Sequence, residues 1–170
     1  MKVRRASINL RKKQLELVTR SGRLYPMPFA RMMPRPSVKD PVVELHLDSE
    51  LGNEAVTYTL ASGEEGSVHI DHALDYNSDP TYLAELALHR LTCDVASHVK
   101  SSGLSIREIA RRLRTSVTQV YRLLDTTNYS KSFVQTHALL QIVDCELKVE
   151  VKPRRASRAS SAKARSRKAA

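Results

Sequence analysis

Cysteine is nearly absent: the chain holds only Cys93 and Cys145. Two cysteines that far apart exclude a disulfide framework and offer no metal-ligand spacing. Both stand among apolar neighbours in expected helical or helix-end positions, so both are expected as buried free thiols in a reducing cytosol. Glycine occurs five times, in no spacing that could cradle a phosphate. No Ser-His-Asp or Cys-His constellation and no nucleotide fingerprint is present, so neither an enzyme nor a cofactor is expected. No apolar run approaches the length of a membrane span. The basic N-terminus lacks the apolar core of a signal peptide, and no membrane partner is expected. His69 and His72, with Asp71 and Asp75 nearby, are followed by no third ligand cluster, so no metal site is expected either.

Positive charge is what the chain has in excess. Its 170 residues carry 28 Lys/Arg against 18 Asp/Glu, a formal charge of +10. The excess is unevenly placed: residues 1–36 sum to +9, 37–80 to −9, 81–151 to +2 and 152–170 to +8. Two basic ends thus flank an acidic segment and a nearly neutral stretch, a balance that suits an acidic polymer as partner.

Patterning divides the chain in the same places. Residues 1–36 read as a basic N-terminal arm, of which 1–13 are expected to order on binding and 14–25 can form a hairpin around Ser21-Gly22. Five prolines between 26 and 41 mark a loop. Residues 37–79 form an acidic β-rich segment. Val43, Leu45 and Leu47 alternate with polar residues, as do Val56, Tyr58 and Leu60, and then Val68 and Ile70, which predicts a strand and a hairpin with one apolar face. A short helical turn follows over 71–76. Asp79 caps a helix with Pro80 in its first position. That helix carries Leu83, Leu86, Ala87, Leu91, Val95 and Val99 on one stripe and stops at Gly103. A later helix begins near 130–132 and holds Phe133, Val134, Ala138, Leu139, Ile142 and Val143 toward the others. Residues 146–151 alternate as a strand, which must pair with the 42–70 sheet or with a partner chain. Residues 152–170 have no apolar periodicity and are expected as a disordered basic tail.

Residues 105–124 organise the rest. Ser105 precedes Glu108 by three, Ser116 precedes Gln119 by three, and both are capping-box spacings. Ile106, Ile109, Ala110 and Leu113 make one apolar stripe, and Val120, Leu123 and Leu124 another. The stretch therefore predicts two short helices joined by a tight turn. With Ala110 at a close crossing, Leu113 before the turn, the Ser116 cap and Val120-x-x-Leu123, it resembles the helix-turn-helix of the lambda-repressor/Cro-like (xenobiotic-response-element) DNA-binding family. The resemblance covers about 80–151. It departs at the turn, where Arg114 stands in place of the family's usual Gly at a positive-φ position.

The resemblance implies a recognition helix over about 116–124. Ser116, Val117, Thr118, Tyr121 and Arg122 lie opposite its apolar side and form the expected base-contacting set. Arg122 can bridge the two acceptors of a guanine, Thr118 can bond a base or a phosphate, and Val117 can touch a thymine methyl. Tyr121 can also bond a phosphate or stack on a sugar. Arg107, Arg111, Arg112, Arg114, Gln119 and Lys131 are the expected phosphate contacts. Asn128 and Tyr129, in the following loop, either touch the DNA backbone or make a structural turn.

The expected fold is α+β. It combines a small antiparallel sheet, residues 42–70 plus the 146–151 strand, with a lambda-repressor-like bundle of four or five helices over 80–151. The expected function is sequence-specific binding of double-stranded DNA by a cytoplasmic, nucleoid-associated bacterial or phage transcriptional regulator. The resemblance implies a homodimer that reads half-sites roughly 34–36 Å apart. Two other functions fit the same features. One is an antitoxin-like autoregulator whose β segment grips a toxin-like protein partner. The other is a non-specific nucleoid- or RNA-coating protein.

Overall fold

A computed structural model describes residues 1–152. The expected disordered tail lies, apart from Lys152, outside the described residues. Among them the chain is α+β, with two three-stranded antiparallel sheets and five α-helices. It divides into two compact units, the first ending at Cys93 and the second beginning at Asp94.

The first unit is built on β1 (Val3–Asn9), β2 (Gln14–Thr19), β3 (Leu24–Pro28), β4 (Val42–Leu47), β5 (Ala55–Leu60) and β6 (Glu65–His69). The sheets are ordered β1-β2-β3 and β4-β5-β6. Residues 14–25 form the hairpin that Ser21-Gly22 predicts, and Gly22 takes a φ of +81° in its turn. The basic residues before it are not an arm awaiting a partner. They form β1, which pairs with β2 along its length and runs beside β4, where the Val3 amide donates to the Asn53 carbonyl at 2.8 Å. Pro26 and Pro28, expected in a loop, lie in β3. An edge strand tolerates them because a missing N–H there costs no ladder bond.

The apolar faces of the two sheets share one core. Leu15, Leu17, Tyr25, Met27, Val56, Tyr58, Leu60 and Val68 are all buried in it. Residues of the N-terminal sheet thus cover the apolar face of β4-β5-β6. The 146–151 segment is not a strand of this sheet, nor a strand at all within the described chain. Alternation identifies its two faces but carries no information about a partner. Val43, expected inward, is 64% exposed. A register shift between Val42 and Glu44 turns it outward, leaving Val42, Leu45 and Leu47 against the core.

Helix α1 (Ile70–Asn77) packs on β3 and β6. His69 caps it: the ring Nδ1 accepts from the Asp71 amide at 3.3 Å. Helix α2 (Pro80–Ser101) starts as its sequence predicts. Asp79 is buried, and its Oδ1 accepts from the amides of Thr81 and Tyr82 at 3.1 and 3.0 Å. Its Oδ2 accepts from the Tyr25 hydroxyl at 2.8 Å. The Tyr82 amide is the largest of the influences that lower the Asp79 pKa, followed by the Tyr25 hydroxyl, the Thr81 amide and the charge of Arg23.

The second unit contains α2 from Asp94 onward, α3 (Ile106–Arg112), α4 (Val117–Leu124) and α5 (Phe133–Ile142). Val95, Val99, Ile109, Ala110, Val120, Leu123, Leu139, Leu140 and Val143 are buried, and α3 packs on both α4 and α5. Two expectations fail in the helices. Ala87 is exposed on α2, and Phe133 and Val134 stand 57% and 75% exposed at the start of α5. The inward positions of α5 are instead Thr136, Leu139 and Leu140. Val134 falls on the side of the helix opposite Thr136, whereas Phe133 is close to Leu140 in helical phase and is exposed as the first residue of the helix. The cysteines are free, but Cys93 is exposed and Cys145 half-buried. Among the described residues no helix is long and apolar enough to cross a membrane.

Charge follows this division. Residues 1–93 hold twelve Lys/Arg and twelve Asp/Glu, so the basic N-terminal strands and the acidic sheet cancel within one unit. The whole +10 belongs to residues 94–170.

Candidate functional site

Two helices and one turn place the expected site residues. Ser105 Oγ accepts from the Glu108 amide at 3.2 Å and opens α3. Ser116 Oγ accepts from the Gln119 amide at 3.1 Å and opens α4. Each cap satisfies one amide that the first helical turn leaves unpaired. Between the helices, Arg114 has a φ of +53°. The Thr115 amide donates to the Ala110 carbonyl at 3.0 Å and the Arg114 amide to the Arg111 carbonyl at 3.2 Å. That bond pair is a Schellman closure, which requires a left-handed residue at the position Arg114 occupies. An arginine there costs about 1 kcal/mol relative to glycine.

Helix α4 is strongly two-sided. Val120 and Leu123 are buried, whereas Ser116, Val117, Thr118, Tyr121 and Arg122 are all exposed. Positions 117, 118, 121 and 122 fall on one side of a helix, one turn apart. The base-contacting set of the sequence is therefore one continuous surface, with Tyr121 58% exposed at its centre.

The expected phosphate contacts separate into three kinds. Arg107 and Arg114 are exposed with no ion pair among the described residues. Arg111 and Arg112 are exposed but clamped. Arg111 donates from Nε and Nη2 to the two Glu108 carboxylate oxygens at 2.9 and 2.7 Å, and Arg112 Nε donates to Oε1 at 2.7 Å. Arg111 and then Arg112 hold the Glu108 carboxyl at about 2, well below the usual carboxylate range. The folded pKa lies below the unfolded one, so the clamp is complete above the ordinary Glu pKa and is lost only as pH falls through about 2. Glu108 thus does not reach back to cap Ser105, as the capping-box spacing predicts. Two guanidiniums at i+3 and i+4 outcompete one backbone amide for its oxygens.

Gln119 and Lys131 have internal tasks. Gln119 Nε2 donates to Gln135 Oε1 at 3.0 Å and ties α4 to α5. Lys131 Nζ donates to the carbonyls of Leu123 and Asp125 at 2.9 and 2.6 Å. Asn128 Nδ2 donates to the Arg122 carbonyl at 3.0 Å. These donors satisfy carbonyls that the end of α4 leaves open and put a cation at its negative pole. Asn128 is therefore a structural turn residue, and Lys131 is a helix cap before it is anything else.

Sequence reasoning missed the Glu108 clamp, although its i,i+3 and i,i+4 spacing is legible. Among the described residues no group of three or more His, Cys, Asp or Glu is placed to hold a metal. Compared with family models, curated proteins and solved structures, the chain matches none.

Proposed function

We propose that residues 105–124 act as a helix-turn-helix in a lambda-repressor-like module running from the end of α2 to α5. In this proposal α4 enters the major groove of double-stranded DNA, and the protein is a sequence-specific transcriptional regulator of bacterial or phage type. The observation that carries the proposal is the face of α4. A buried Val120–Leu123 side anchors the helix, and its opposite side offers a hydroxyl, a methyl, a phenol and a guanidinium in one patch. Arg122 supplies the bidentate donor for guanine, Thr118 and Ser116 supply hydroxyls, and Val117 supplies apolar contact for a thymine methyl. Arg107 and Arg114 bond phosphate and set register. The placement of the net charge supports a polyanionic partner on the side of residues 94–170 rather than the neutral first unit. Selection of the full chain against random duplexes tests the proposal. An enriched motif is the expected outcome; equal retention of all sequences would make the protein a non-specific coat.

The clamp makes a separate prediction. Glu108→Gln removes the charge that occupies Arg111 and Arg112 while keeping a helix-compatible side chain. With both arginines released to phosphate, log affinity against log salt is expected to steepen by about 1–2 units, at roughly 0.9 per contact. Fluorescence anisotropy on an unselected duplex reads the slope. An unchanged slope would place both guanidiniums off the DNA path.

A further inference from the structure

At the end of the described chain, Glu146, Lys148, Glu150 and Lys152 alternate with Leu147, Val149 and Val151. The segment lies in no helix or strand, and among the described residues no strand pairs with it. Val149 is 73% exposed and Val151 90%. Side chains two apart on extended backbone share a face. Ion pairs join Glu146 to Lys148 at 3.8 Å and Glu150 to Lys152 at 2.9 Å, so each of these pairs shares a side. In extended form this alternation makes a two-faced edge, apolar on one side and charged in alternation on the other, with ladder capacity to spare.

We propose that this segment pairs antiparallel with the same segment of a second copy, about a two-fold axis through Val149. The charges select the occupant and the register. With Val149 facing its own counterpart, Glu146 faces the second copy's Lys152 and Lys148 faces its Glu150, and the symmetry repeats both pairs. Leu147 then faces Val151 on the other side of the ribbon. Every cross-strand charge pair is opposite in sign. A parallel, in-register pairing sets Glu on Glu and Lys on Lys. An antiparallel pairing centred one residue away, on Lys148 or Glu150, again matches like with like. Directly opposed like charges destabilise a ribbon and opposite charges stabilise it, and a closed two-fold contact consumes the exposed edge. Pro153 has no N–H to extend the ladder. A two-stranded ribbon is marginal by itself, so the association is concentration-dependent rather than obligate. The inference stands apart from the proposed function, because self-association is measured without nucleic acid.

Analytical ultracentrifugation of the full, nuclease-treated chain over a concentration series tests it with charge swaps. Lys148→Glu sets a carboxylate against Glu150 twice in a homodimer, and Glu150→Lys sets an ammonium against Lys148 twice. Each single variant is expected to raise the dimer dissociation constant at least about tenfold. An equimolar mixture of the two is expected to dimerise as the parent does. In the mixed dimer the carboxylate introduced at position 148 of one variant meets the ammonium introduced at position 150 of the other. All these positions are exposed, so far-ultraviolet circular dichroism is expected to be unchanged. A parent chain monomeric at its highest soluble concentration would overturn the proposal. So would single variants that dimerise like the parent, or a mixture that stays monomeric.

Discussion

Replacing Asp79 with Ala is expected to remove about 2–4 kcal/mol from the first unit, combining the loss of a helix N-cap with a stranded buried hydroxyl. Asp79 is 5% exposed, caps α2 through two amides and accepts from the buried Tyr25 hydroxyl on β3. Its ion pair with Arg23, 3.5 Å away, adds little, because that guanidinium side chain is 65% exposed. Tyr25→Phe leaves the cap intact and is expected to cost only about 1 kcal/mol. The carboxyl also gives the unit an acid limb. Its folded pKa is lowered, so its contribution is complete above the unfolded value of about 3.9 and is lost as pH falls through the folded one. Asp79→Asn keeps an oxygen for the cap and is expected to flatten that limb. Native-state hydrogen exchange at the amides of Leu15 and Leu17, both fully buried on β2, reports the loss directly. A loss below about 0.5 kcal/mol, the range of ordinary surface substitutions, would contradict the assigned role.

Arg122→Ala is expected to weaken binding to a selected duplex by about 1–3 kcal/mol and to relax preference at one base pair. Arg122 lies off the buried Val120–Leu123 side of α4, so the helix is expected to persist unchanged. The control is Arg107→Ala, which is expected to weaken all duplexes alike and to reduce the salt slope by about 0.9. Competition binding against selected and scrambled duplexes separates the two. If Arg122→Ala weakens both equally, Arg122 contacts phosphate and the face of α4 does not read bases.

Local chemistry was the legible part of this fold. The caps at Asp79, Ser105 and Ser116 rest on bonds spanning two or three residues, which neighbours in sequence determine. The burial of Val56, Tyr58 and Leu60 against half-buried Thr57 and Thr59 on β5 likewise follows from a period of two. What escaped depends on distant partners. The cations of residues 1–13 disguise β1, and Pro26 and Pro28 disguise β3, whose Tyr25 and Met27 share one core with Val56, Tyr58, Leu60 and Val68. The bulge at Val42 to Glu44 inverts Val43 without any change in its own sequence signal. For the site, the exposed residues of α4 were legible as a face. The employment of Arg111, Arg112, Gln119 and Lys131 was not, because each had more than one available acceptor. The competition among those acceptors is decided by geometry that composition does not carry.

Backbone chemical-shift mapping of the full chain, titrated with a selected duplex, tests the central claim most directly. The largest changes are expected at the amides of residues 116–122, with smaller ones at Arg107 and Arg114 and none on β1 to β6. Changes concentrated on the sheets of the first unit, with α4 silent, would contradict the assignment of α4 as the element that meets DNA.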